Sequence, residues 1–182
     1  MTNAYDEARS QRNLLERLVD KIPGFRGFQD RELRRDVDKQ QREHVAAEIG
    51  RLKTALRDKT RAYTDAGHIG WLNGFDRLDR QLDGLAQSIR FSDYGNTGFF
   101  DPVKIGEPQL ARLYEFDLSL LDDVATLERQ VAAVPAPGND DPTPALEQAR
   151  ELARALDDKW KRRREVLSAT ADTQAAPPVP AT

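Results

Sequence analysis

Apolar residues recur along the chain at alternating spacings of three and four, separated by charged positions. Trp71, Phe75, Leu78, Leu82, Leu85 and Ile89 form the cleanest run, and Leu146, Ala149, Ala153, Leu156 and Trp160 repeat the rhythm near the C-terminus. That spacing puts one side chain per turn on one helix face, so each segment carries a stripe that needs a partner. Two further stripes, at 33–63 and 110–131, complete the set. The pattern predicts an all-α antiparallel helical bundle of four main helices plus a short N-terminal one.

The boundaries follow from turn residues. A first amphipathic helix over 6–22 places Leu14, Leu15, Leu18, Val19 and Ile22 on one side, and Pro23-Gly24 stops it. A long, coiled-coil-like helix over 29–66 follows, with Gly67 as its C-terminal cap. Its stripe shifts face between Leu33/Val37 and Val45, Ile49, Leu52, Leu56 and Tyr63, which implies a change of partners along its length or a bend at Gly50. The third helix covers 69–91. A fourth runs from Pro108 to Val134 with Leu110, Leu113, Leu120, Val124, Leu127 and Val131 on its stripe. A Pro-rich linker over 135–143 leads to a fifth helix from Pro144 to about Ala169, with Thr143 as N-cap. Residues 1–170 read as one helical-bundle domain, and 171–182, ending Pro-Pro-Val-Pro-Ala-Thr, as a disordered tail.

Composition narrows the function classes. The chain has 182 residues, 38% hydrophobic and 32% charged, a balance suited to narrow seams between wide solvated faces. The net charge of −3 argues against a basic nucleic-acid binder. With no cysteine, disulfides, thiolate metal sites and cysteine nucleophiles are excluded. No apolar run approaches a membrane span and no signal-peptide pattern opens the chain, so the expected compartment is the cytoplasm.

Candidate chemistry is sparse. His44 stands one turn before Glu48, a pairing common on solvated helices, and His68 follows Gly67 in a turn as a capping or surface residue. Gly95-Asn96-Thr97-Gly98 lacks the Lys-Ser/Thr pair that a phosphate loop needs. No catalytic, cofactor-binding or metal-ligating set assembles from spacing, so no cofactor and no small-molecule substrate is implied. Trp160 lies among Lys159, Lys161, Arg162, Arg163 and Arg164, but it continues the apolar stripe, so core packing explains it better than nucleic-acid stacking.

Asp117 falls on the apolar face of the fourth helix, where a carboxylate needs a partner. It is expected to be a buried structural charge paired with Arg26, Arg90 or Lys104, tying that helix to the connector loops. Two aromatic connectors stand out, one with Phe25, Arg26 and Phe28, the other with Tyr94, Phe99 and Phe100. They read either as plugs of the bundle end or as partner-binding tips. Residues 101–130 hold seven acids against three bases, whereas 159–164 hold five bases and no acid. These regions are expected to meet within one chain or between two copies.

The connector Ile22-Pro23-Gly24-Phe25-Arg26-Gly27-Phe28, the loop Tyr94-Gly95…Gly98-Phe99-Phe100-Asp101-Pro102-Val103-Lys104 and the run Leu113-Tyr114-Glu115-Phe116-Asp117 resemble a group of bacterial all-helical proteins. The likeness covers about residues 14–134. It implies a compact helical fold and a bacterial cytoplasmic setting, and attaches no activity or site residue. The expected function is a non-enzymatic interaction or scaffolding protein that binds a protein partner or itself. The alternative is a peripheral membrane-surface protein using the first helix and its aromatic connector.

Overall fold

The computed structural model describes residues 13–14, 16–22, 31–92, 107–138 and 140–172, with 31–38, 107–111, 113 and 164–172 described as backbone only. It is an all-α bundle, and among the described residues there is no strand. The elements are α1 (helical over 13–14 and 16–21), α2 (Arg31–Asp65), a single 3-10 turn (Ile69–Trp71), α3 (Leu72–Arg90), α4 (Glu107–Ala132) and α5 (Thr143–Asp172). The chain forms two compact units. One comprises 1–40, 93–118 and 161–182, the other 41–92 and 119–160. Helices α2, α4 and α5 each contribute residues to both. The face shift expected in α2 thus coincides with its passage between units at Gln40–Gln41, and α2 is helical through Gly50.

In the second unit the four stripes supply the core. Val45, Ile49, Leu52, Leu56 and Tyr63 from α2 are buried with Phe75, Leu78, Leu82, Leu85 and Ile89 from α3. Leu120, Val124, Leu127 and Val131 of α4 and Leu146, Ala149, Ala153, Leu156 and Trp160 of α5 join them. Within each helix these residues are one turn apart, or two between Leu56 and Tyr63, so sequence period and burial agree; Trp71, which opens the α3 stripe, is half-buried.

Polar contacts set the arrangement of this unit. Arg57 pairs with Asp79 (Nε–Oδ1 2.9 Å) and Lys53 with Asp83, which makes α2 and α3 antiparallel. Arg42 Nη1 donates to the carbonyl of Ser92 (3.0 Å), capping the end of α3 from α2. Lys159 pairs with Asp123, and Gln130 Nε2 donates to the Ala145 carbonyl (3.3 Å), so α4 and α5 are antiparallel as well. Gln81 Nε2 donates to the Arg150 carbonyl (2.7 Å) and places α3 beside α5. Lys59 Nζ donates to the carbonyls of Ala132 (3.1 Å) and Val134 (2.6 Å), placing α2 beside α4. The order around the unit is α2, α3, α5, α4. The two short connectors join antiparallel neighbours, as short loops require.

Helix ends explain the turns. The Gly67 N–H donates to the Thr64 carbonyl (3.0 Å) and the His68 N–H to the Tyr63 carbonyl (2.9 Å), with Gly67 at φ +76°. That is a Schellman stop, and a residue with a Cβ would be strained at its left-handed position. At the start of α5 the cap differs from the expected one. The carboxylate of Asp141 accepts the Thr143 N–H (2.8 Å), so Asp141 caps the helix instead of Thr143.

In the first unit, Leu14, Leu18 and Ile22 of the α1 segment are buried. Val19, expected on the same side, is 45% exposed. It is one residue from Leu18, about 100° round the helix, and so leaves the stripe. The expected tail begins at 171, but 171–172 are the helical end of α5; its remainder, 173–182, lies outside the described residues.

Candidate functional site

Asp117 is fully buried, as its place on the α4 stripe demands, and the partner is Arg163 of α5. Arg163 Nε donates to Oδ1 at 2.8 Å and Nη2 to Oδ2 at 3.1 Å, a planar two-pronged contact. Both residues belong to the first unit, and Arg163 is 1% exposed. Arg163 is not among the expected partners Arg26, Arg90 and Lys104. Arg26 and Lys104 lie outside the described residues, and Arg90 is exposed at the end of α3. Through Arg163, Asp117 ties α4 to α5.

The signal for Arg163 was present in the periodicity. Leu146, Ala149, Ala153, Leu156 and Trp160 continue at the next step of three onto Arg163, just as Leu110, Leu113 and Leu120 bracket Asp117. Two antiparallel stripes, each with one charge of opposite sign near the same level, specify the pair. The acidic α4 and basic end of α5 accordingly meet within one chain, through Arg163 with Asp117 and Lys159 with Asp123. Trp160, 4% exposed, is a core residue.

The end of the second unit built by the α2–α3 turn and the α4–α5 linker has a different character. Tyr63, buried, meets Phe75 (ring centroids 4.9 Å), Trp71 (5.7 Å, edge-on) and His68 (6.0 Å). His68 and Trp71 lie 5.0 Å apart at 36°. The Tyr63 hydroxyl donates to the Pro135 carbonyl (3.1 Å), holding the linker against the aromatic cluster. Burial raises the Tyr63 hydroxyl above its ordinary pKa, and the carboxylates of Asp140 and Asp141 push it the same way. Beside this cluster Ile69 is 71% exposed, and Trp71, Leu72, Pro135 and Pro137 are half-buried. Sequence reading missed this surface because Ile69 looks like an ordinary first residue of the third helix. It lies off the stripe that begins at Trp71, in a 3-10 turn over Ile69–Trp71.

The aromatic candidates Phe25, Arg26, Phe28, Tyr94, Phe99 and Phe100 lie outside the described residues. His44 pairs with Glu48 as read (Nε2–Oε1 3.9 Å), and burial lowers its pKa. Among the described residues no group of His, Asp and Glu is placed to hold a metal ion, and no helix is long and apolar enough to cross a membrane. Comparison with protein-family models, with curated proteins and with solved structures returns no match.

Proposed function

We propose that the chain is a non-enzymatic interaction or scaffolding protein with a protein partner. The observation that carries the reading is how its polar groups are used. Arg42, Lys59, Gln81, Gln130, Lys159 and Arg163 reach across to backbone carbonyls or carboxylates of a neighbouring element. These are joints between helices, and no nucleophile, base and orienting group converge among them. Large apolar side chains meanwhile stand in solvent at Ile69 and at Phe91, 70% exposed. Exposed apolar groups on a rigid scaffold are what a binding surface requires.

The buried face of α1 bears on the membrane alternative. Leu14, Leu18 and Ile22 are spent on the protein interior, which leaves Val19 as the large exposed apolar side chain among the described residues of α1. That favours a protein partner over a bilayer. Affinity capture from the native host, followed by reconstitution with the purified partner, tests the reading. A complex of fixed stoichiometry is expected. No partner in capture, together with turnover in a broad substrate screen, would reverse it.

A further inference from the structure

The geometry points to the end of the second unit, centred on Ile69 and Trp71, as a docking surface for a basic segment of a partner protein that carries one aliphatic or aromatic anchor. This inference rests on the reading of the chain as an interaction protein and names the surface and the partner's chemistry.

Three observations carry it. The first is apolar exposure. Ile69 stands 71% exposed beside half-buried Trp71 and Leu72, on a base of packed rings that includes buried Tyr63 and Phe75. An exposed apolar side chain beside packed aromatic rings is suited to seat one anchor side chain. The second is rigidity. The Schellman stop at Gly67 holds the turn, and the Tyr63 hydroxyl and Lys59 ammonium hold the linker through the carbonyls of Pro135, Ala132 and Val134. A surface held this way loses little freedom on binding.

The third observation is charge, and it selects the occupant. The segments 64–75 and 132–146 contain three aspartates and no lysine or arginine, in a chain that is 32% charged with 28 basic residues. Asp65, Asp140 and Asp141 are all exposed. Asp141 is held ionised by its hydrogen bonds from Thr143. Of the neighbouring bases, Lys59 is turned onto backbone carbonyls, Arg129 in the last turn of α4 reaches back to the Thr126 hydroxyl (2.9 Å), and Arg61 and Arg77 stand more than a turn back from the helix ends. An apolar centre with an acidic rim attracts lysine and arginine around an apolar anchor and repels an acidic segment or an anionic bilayer.

The test uses the full chain, isotope-labelled for heteronuclear NMR, and a short peptide of alternating lysine and leucine. Glutamate–leucine and lysine–serine peptides serve as controls. Shifts from the lysine–leucine peptide are expected to concentrate in 64–75 and 132–146, including the Trp71 indole. Binding should weaken at least about tenfold in Ile69→Asp, and about three- to tenfold in Asp65→Asn/Asp140→Asn/Asp141→Asn, with its salt dependence flattened. Glu128→Gln/Glu151→Gln, elsewhere on the acidic surface, should leave it unchanged. Ile69→Ser gives a second variant should the aspartate disturb the fold, with matching circular dichroism required of both.

Shifts spread evenly over the acidic surface would overturn the proposal. So would equal binding of the glutamate–leucine peptide, or an unchanged affinity in Ile69→Asp and Ile69→Ser. A self-association abolished by Ile69→Asp would replace the basic segment with a second copy. Binding of phosphatidylglycerol vesicles through the same residues would replace it with a membrane. Affinity capture with wild type and Ile69→Asp in parallel separates the two levels of inference. A specific partner retained equally by both leaves the interaction reading standing and overturns the docking surface, whereas no partner with wild type removes the interaction reading itself.

Discussion

The two compact units use charge in opposite ways. In the first, Asp117 and Arg163 form a buried pair at the α4–α5 contact. In the second, the seam is apolar, with ion pairs such as Arg57–Asp79 and Lys53–Asp83 on the outside of the α2–α3 contact. A buried pair gives up the hydration of both ions and is repaid only by close, two-pronged geometry. Its value lies in rejecting arrangements that strand either charge. An outer pair gives up little and enforces little. The first unit is therefore held to its α4–α5 register by a penalty for error, the second by the shape of its stripes.

The largest expected effect is at the buried pair. Asp117→Ala leaves the Arg163 guanidinium buried without its carboxylate and should cost about 3–5 kcal/mol, with Arg163→Met costing a similar amount. The double change Asp117→Leu/Arg163→Met removes both charges and should recover most of that loss, read from thermal or denaturant unfolding. Unchanged midpoints in both single variants would place the pair in water and dissolve the contrast between the units.

Glycine positions on the second unit's helices give an intermediate effect, with a sign that geometry sets. A Cβ on Gly50 or Gly84 would meet nothing within 4 Å, so Gly50→Ala and Gly84→Ala should each stabilise by about 0.5–1 kcal/mol through helix propensity. A Cβ on Gly74 would meet Leu146 Cδ1 at 3.0 Å, where α3 lies against α5. Leu146 is buried, so Gly74→Ala should destabilise by about 1 kcal/mol through overpacking. Equal and positive shifts in all three variants would show a seam loose enough to absorb a methyl group.

These positions show what the chain reveals on its own. The stripes of α3 and α5 were legible because an amphipathic helix buries each stripe residue regardless of which helix it meets. Gly67 was legible as a stop because a left-handed position admits few other residues. The burial of Asp117 was legible too, since it needs only the α4 pattern. Arg163 is a different matter: the α5 stripe runs onto it, but choosing it across forty-six positions also needs the register of two helices, which neither pattern contains. The 3-10 turn at Ile69–Trp71 was not legible, because periodicity does not distinguish it from the start of an α-helix over three residues. The cap at Asp141 was missed for the same local reason. Two candidate oxygens stood two residues apart, and backbone conformation chose between them.

A smaller effect belongs to the outer pairs, which should respond to salt where the buried pair does not. The hydrogen bond from Lys53 holds the Asp83 carboxyl below its usual range, yet the aspartate is exposed to solvent. Asp83→Asn and Asp79→Asn should lower the unfolding midpoint at low ionic strength, by a smaller amount than any of the glycine changes shifts it in either direction. In high salt that difference should vanish as screening shortens the reach of exposed charges. Asp117→Ala should keep its full cost under the same conditions. A salt-insensitive loss in Asp83→Asn would mean that the α2–α3 rim is as shielded as the α4–α5 pair.

His44 is the second unit's nearest counterpart to a buried charge, and its effect is read through pH. Burial lowers its pKa; Glu48 pulls it up and Arg51 pushes it down, with burial the largest influence. The native state therefore favours the neutral ring. As pH falls through the ordinary imidazole value of about 6.5, the unfolded chain takes up a proton that the native chain does not, so it binds more protons in this window. Stability is complete above that value, declines as pH drops below it, and levels off once the native ring also protonates below its lowered pKa. Carboxylates held down in the native state, Asp83 by Lys53 and Asp141 by Thr143, begin to lose their contribution only at more acid pH, as it falls through the usual carboxylate range, and lose it fully below their lowered values. Unfolding measured from pH 8 to pH 5 should thus show a positive slope in wild type that His44→Gln flattens. A slope unchanged by His44→Gln would show that the ring gains its proton equally in both states, and that the second unit excludes no charge from its seam at all.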